Sequence, residues 1–151
     1  MQKIYSIVVT YQTKENDLSN LINILKKQTN MVIICNNSNF NLSFNDDKIL
    51  VFNFGKNLGI AEAQSIGMKY AFENGADFII QFDQDSIPSD DLVFKLKECY
   101  DNLILKGYKI GIVGPKYYDK DSGKEIKAKI NKGIIINNTN YVLLSEIISS
   151  G

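Results

Sequence analysis

The 151-residue sequence contains no histidine and no arginine. Without imidazole there is no Ser-His-Asp triad, no histidine general base and no zinc site of the kinds that need a histidine ligand. Without guanidinium there is no planar fork to read guanine or to clamp phosphate from two sides. All seventeen basic residues are lysines, and seventeen acidic residues balance them. No net field gathers a polyanion, so a nucleic-acid partner is not expected. Cysteine is scarce too: Cys35 falls in an apolar β-like run and Cys99 in a helical pattern. Both read as reduced core thiols of a cytoplasmic protein. No apolar run reaches the roughly 18 to 20 residues that span a bilayer, and the N-terminus lacks a secretory hydrophobic region. A place at the inner face of the membrane remains compatible. What is left for chemistry is carboxylate, lysine amine, tyrosine, hydroxyl and thiol.

What is present is an alternation of strand and helix patterns. The chain is 44% hydrophobic and 23% charged, a composition for one globular domain that buries about 70% of its unfolded surface. Mainly apolar, β-rich runs at residues 4–10, 31–35, 48–52, 77–82 and 110–113 predict strands, the first of the kind found in a sheet covered on both faces. Leu18, Leu21, Ile22 and Leu25 recur at helical spacing after Asn16 or Asp17 as N-cap. A second helix is predicted over 60–74 with Gly75 as its stop. A third follows Ile87-Pro88, capped by Ser89 or Asp90, with Leu92, Leu96, Cys99, Tyr100 and Leu103 as its buried stripe. From residue 116 the chain turns polar and lysine-rich around Asp121-Ser122-Gly123, then shows short β-like runs at 133–136 and 141–144. The organisation expected is a βαβ core over 1–115 and a hairpin-rich segment over 116–151. The fold class is α/β, a Rossmann-like, mainly parallel sheet flanked by helices, with ligands bound beyond the C-terminal strand ends.

That rule gives the polar clusters one address. Thr10-Tyr11-Gln12, Asn36-Asn37-Ser38, Asn53 to Asn57 and Asp83-Gln84-Asp85 each follow an apolar strand directly. Singly, each is most simply a strand-ending turn. Together they describe a nucleotide-diphosphate pocket: Tyr11 against a base or ribose, Asn and Ser groups at the base edge, and a metal on the diphosphate. On an extended backbone Asp83 and Asp85 point to one side and converge on one cation while Gln84 points away. Oxygen-only ligation of that kind suits Mg²⁺ or Mn²⁺. Phosphate-loop alternatives fail, because Gly55-x-x-x-Gly59 lacks a Gly-Lys-Ser/Thr ending and no Gly-x-Gly-x-x-Gly follows the first strand.

Four blocks carry a family resemblance: Val8-Val9-Thr10-Tyr11-Gln12, Ile34-Cys35-Asn36-Asn37-Ser38, Asn57-Leu58-Gly59-Ile60-Ala61-Glu62-Ala63-Gln64 and Phe82-Asp83-Gln84-Asp85-Ser86-Ile87-Pro88. In this order they resemble the nucleotide-sugar half of a family 2 glycosyltransferase, on its rhamnosyltransferase-like branch. The resemblance implies a GT-A fold and an inverting, metal-dependent sugar transfer from a nucleoside-diphosphate donor, dTDP-rhamnose or a UDP-sugar, to a saccharide or lipid-linked glycan. It implies nucleotide contacts from Thr10, Tyr11, Asn37, Asn57 and Asp83, and Asp85 as principal metal ligand. Gln12, Asn36, Ser38, Gly59, Ala63 and Gln84 complete the candidate donor-binding set, and Gln12 stands where the family commonly has Asn. Ser145 to Gly151 resembles the strand after which the family continues into an acceptor segment carrying the catalytic base, and nothing in these residues matches that segment. The base is therefore unassigned, the chain is expected to bind donor but transfer little by itself, and apolar surface near its end makes self-association an expectation. The alternatives are a nucleotide-sugar-binding module without transferase activity and, more weakly, a phosphatase-like enzyme with Asp83 as nucleophile. The latter class carries its Asp-x-Asp after the first strand, which counts against it.

Overall fold

The computed structural model describes residues 2–115, 117–118 and 122–126. The chain divides into two compact units, Met1–Asp91 and Leu92–Gly151; the expected boundary after residue 115 falls inside the second.

The first unit is built as β1 (Ile4–Thr10), α1 (Glu15–Gln28), β2 (Met31–Asn36), β3 (Ile49–Asn53), α2 (Ile60–Glu73) and β4 (Phe78–Asp83). The strands form one all-parallel sheet in the order β3-β2-β1-β4. This is the Rossmann-like α/β arrangement that the alternating pattern predicts. Side chains of odd-numbered residues on β1 and β2, among them Tyr5, Ile7, Ile33 and Cys35, pack with Ala63 and Ala71 of α2. The even-numbered Ser6 hydroxyl meets Thr29, the residue that ends α1, at 3.2 Å, so α1 covers the opposite face. Coverage on both sides is why these strands read as unbroken apolar runs rather than alternating ones.

The helix ends follow local chemistry. Helix α1 starts one or two residues before its expected cap, and Asp17 lies within its first turn. There its carboxylate accepts the Lys14 N–H at 3.3 Å while its own N–H donates to the Lys14 carbonyl at 3.1 Å. An acid in the first turn thus satisfies a free N–H from inside the helix instead of from the cap position. Helix α2 ends as expected: Gly75 takes φ 78°, and the Ala76 N–H closes on the Ala71 carbonyl at 3.0 Å.

In the second unit α3 (Leu92–Leu105) buries Val93, Cys99 and Leu103, so Val93 takes the place expected of Leu92 and Leu96. A short antiparallel pair, β5 (Tyr117–Tyr118) with β6 (Glu125–Ile126), brackets Gly123, in line with a hairpin there. Residues 110–113, expected as a fifth strand, form none. The run is short, interrupted by Gly111 and stopped by Gly114-Pro115, and Ile112 is 73% exposed. The β-like runs at 133–136 and 141–144 lie outside the described residues. Among the described residues no helix is long and apolar enough to cross a membrane.

Candidate functional site

Parallel register brings the strand ends to one rim. Thr10 pairs with Asn36, Asn36 with Asn53, and Val9 with Asp83. All four polar clusters therefore stand beyond the C-terminal edge of the sheet, within the first unit. The chain steps from β1 to β2 to β3 on one side and returns through α2 to place β4 on the other side of β1. The reversal between β1 and β4 is a topological switch point, where open parallel sheets bind ligands.

The clusters differ in what they offer. Asn36 is fully buried and spends its whole amide on the protein. Its Oδ1 accepts from the Ser38 N–H at 3.0 Å and the Thr10 hydroxyl at 3.4 Å. Its Nδ2 donates to the Phe40 carbonyl at 2.7 Å and to Asn53 Oδ1 at 2.9 Å. Asn53 in turn exchanges both its amide groups with the Leu42 backbone. Thr10 and Ser38 are equally buried, and the Ser38 hydroxyl accepts the Gln12 N–H at 2.8 Å. Asn37 fastens the next loop, accepting from Leu58 N–H at 3.1 Å and donating to the Gly59 carbonyl at 3.2 Å. Ala63 faces the sheet, not the rim. Thr10, Asn36, Asn37 and Ser38 thus build the rim's floor, and Ala63 belongs to the core between α2 and the sheet.

The groups open to a ligand are Tyr11, Gln12, Asn57, Gly59, Asp83 and Asp85, all exposed. Tyr11 is 49% exposed. Gln12 has φ 55°, in the left-handed region that side chains other than Asn and Asp rarely occupy. Asn57 Oδ1 accepts the Gly59 N–H at 2.8 Å, shaping the entry to α2, where Gly59 takes φ 82°.

The acidic pair sits differently from the extended-strand expectation. Asp83 ends β4, and the Ser86 N–H donates to its carbonyl at 3.1 Å, so Asp85 lies in a turn and not on a strand. Alternation along a strand therefore no longer fixes the relative direction of the two carboxylates. Gln84, expected to point away from a cation held by the two carboxylates, bonds to the loop after β1. Its Oε1 accepts the Tyr11 N–H at 2.8 Å and the Thr13 hydroxyl at 2.6 Å. Thr13 carried no sequence signal, since its role depends on which strand lies beside β1. Among the described residues no three His, Cys, Asp or Glu side chains gather as a metal cage. Two exposed carboxylates on one turn are a donor set for a hard cation that completes its shell with water and phosphate. A separate cavity of about 220 Å³ lies between α1 and the loop before β3, lined in part by Lys26, Phe44 and Asp46, away from this rim. There the Lys26–Asp46 ion pair holds the Asp46 carboxyl below its ordinary range.

No protein-family model matches the chain, and no solved structure gives a significant match. Over 122 residues the chain is 38% identical to the dTDP-rhamnosyl transferase RfbF of Shigella flexneri, a stretch that covers 78% of this chain and 40% of that protein. The chain therefore spans less than half the length of this relative. Over most of its own length it is similar in sequence to a rhamnosyltransferase-type glycosyltransferase, the resemblance its four strand-end blocks carry.

Proposed function

We propose that this chain is the donor-binding part of a family 2, GT-A glycosyltransferase that moves rhamnose from dTDP-rhamnose to a saccharide or lipid-linked glycan with inversion. The observation that supports this most is the meeting of Tyr11 with the Asp83–Asp85 turn at the β1/β4 switch point, in a chain 38% identical to a dTDP-rhamnosyl transferase. The relative's name makes dTDP-rhamnose the first donor to test and a UDP-sugar the second. On this reading the ring of the half-exposed Tyr11 packs on the base or ribose, and Asn57 stands at the donor's edge. Asp83 and Asp85 hold Mg²⁺ or Mn²⁺. The cation, when bound, stabilises charge on the diphosphate leaving group. The fully buried Asn36 and Thr10 keep the floor beneath the donor fixed rather than touching it. The base that activates the acceptor is supplied from outside the residues assigned here. A cytoplasmic place, expected from the two thiols, belongs to the same reading.

The test is the metal-linked affinity of Asp85→Asn. An amide brings no charge to the cation, so dTDP binding in Mn²⁺ should weaken at least about 10-fold and lose most of its metal dependence. Calorimetric titration with and without Mn²⁺ measures both. Equal affinities for the two proteins in both buffers would remove Asp85 as a ligand.

A further inference from the structure

We infer that Gln84 is a positioning residue that ties the loop carrying Tyr11 to the turn carrying Asp83 and Asp85, across the switch point. The inference rests on the donor-binding reading above and adds the link between its two ends. The β1–β4 ladder stops at Val9 and Asp83. Past that pair Gln84 Oε1 joins the two loops, taking the Tyr11 N–H at 2.8 Å and the Thr13 hydroxyl at 2.6 Å. A backbone N–H only donates, so the amide oxygen, not its nitrogen, must face Tyr11. What the site uses at position 84 is thus an acceptor of the right length.

Tyr11 would meet the nucleoside end of a donor and the acidic turn its diphosphate end. Two loops that moved independently would each have to be ordered when one ligand bridges them, and that ordering weakens binding. A half-buried side chain tied to the neighbouring loop lets one ligand engage a preformed span. Gln84 does this from between the two carboxylates, so anything that fixes the turn also fixes the Tyr11 amide.

Calorimetric titration of dTDP in Mn²⁺ tests the link, using the full chain, Gln84→Leu, Gln84→Glu, and Tyr11→Ala alone and combined with Gln84→Leu. Loss of two hydrogen bonds in Gln84→Leu should weaken binding about 10-fold. Gln84→Glu keeps an acceptor at the same reach and should stay within about threefold of the unsubstituted chain. Because Gln84 acts through Tyr11, the loss from Tyr11→Ala should shrink in the Gln84→Leu background. A merely structural role moves the melting temperature but produces neither the rescue by Glu nor the non-additivity. Unchanged affinity in Gln84→Leu, or equal losses for Leu and Glu with additive Tyr11→Ala, overturns the inference. If Gln84→Leu does not fold, Thr13→Val removes one of the two donors and should cost about threefold; no loss there overturns it equally. Failure of the unsubstituted chain to bind dTDP would instead sink the donor-binding reading, and this inference with it.

Discussion

Cys35 lies on β2 with no exposed surface, and burial pushes its thiol from 9.0 up to about 12, a backbone hydrogen bond from Gly67 pulling the other way. Burial raises the Cys99 thiol as well, with Glu98 adding to the shift. Only the thiolate reacts, so native thiol titration at pH 8 should label both cysteines slowly and denaturant should release both. Fast native labelling would contradict their placement. The sign for stability follows from linkage. The unfolded Cys35 thiol ionises near 9.0 and the folded one near 12. Its contribution is complete below the first value and is lost as pH rises through the second, because unfolding then releases a proton. Urea midpoints of the unsubstituted chain should therefore fall between those values more steeply than those of Cys35→Ala. At Gln12, φ 55° gives a physical reason for the Asn common there in the resembling family: Asn tolerates the left-handed region, and Gln holds it against strain on the order of 1 kcal/mol.

Helix α2 approaches the sheet closely at Gly67. A Cβ built there would stand 2.9 Å from Cys35 Sγ and 3.1 Å from Ile7 Cγ2, and both side chains sit in a core with no exposure to yield into. Gly67→Ala should destabilise the chain by about 1–3 kcal/mol, overpacking outweighing the roughly 1 kcal/mol of helix propensity gained. An unchanged or higher urea midpoint would show that the helix can shift away. Strands and helices of this kind were legible because their signals are local: continuous apolar runs for β1 and β2, and Leu18, Leu21, Ile22 and Leu25 for α1. Residues 110–113 carried the same apolar signal and formed no strand, since apolarity alone does not supply a neighbour to pair with. The rim was legible for a related reason: parallel sheets put their strand ends together whatever the side chains do. What the sequence did not disclose is which rim residues serve the protein and which face solvent. Asn36 and Tyr11 both follow strands, yet the first is consumed by Ser38, Phe40 and Asn53 and the second is half exposed. That division depends on register, and register is set by residues far apart in the chain.

Every candidate residue lies in the unit Met1–Asp91, so the whole chain should behave as a binder before it behaves as a catalyst. On the reading proposed above none of the assigned residues is the general base, and the lack of one typically costs about 10² to 10⁴-fold in rate. With dTDP-rhamnose and a saccharide acceptor, the 151 residues should bind nucleotide and release sugar to the acceptor at close to background rate. Appreciable turnover would place the base within this chain and would discard the reading as a binding module. The strand order carries one more consequence, for the chain as it is made. β1 is central, yet its neighbours arrive at different times: β2 starts at Met31, whereas Ile4 pairs with Phe78. At about 5–20 residues per second, the roughly forty residues between the end of β2 and the start of β4 take about 2–8 s to synthesise. For that interval the nascent sheet has an open seam along its central strand, with Tyr11 beside it and no Gln84 to hold the loop. The step that seals the sheet also finishes the rim, so on the donor-binding reading a ribosome-bound chain should bind nucleotide only once the segment through Ser86 has emerged.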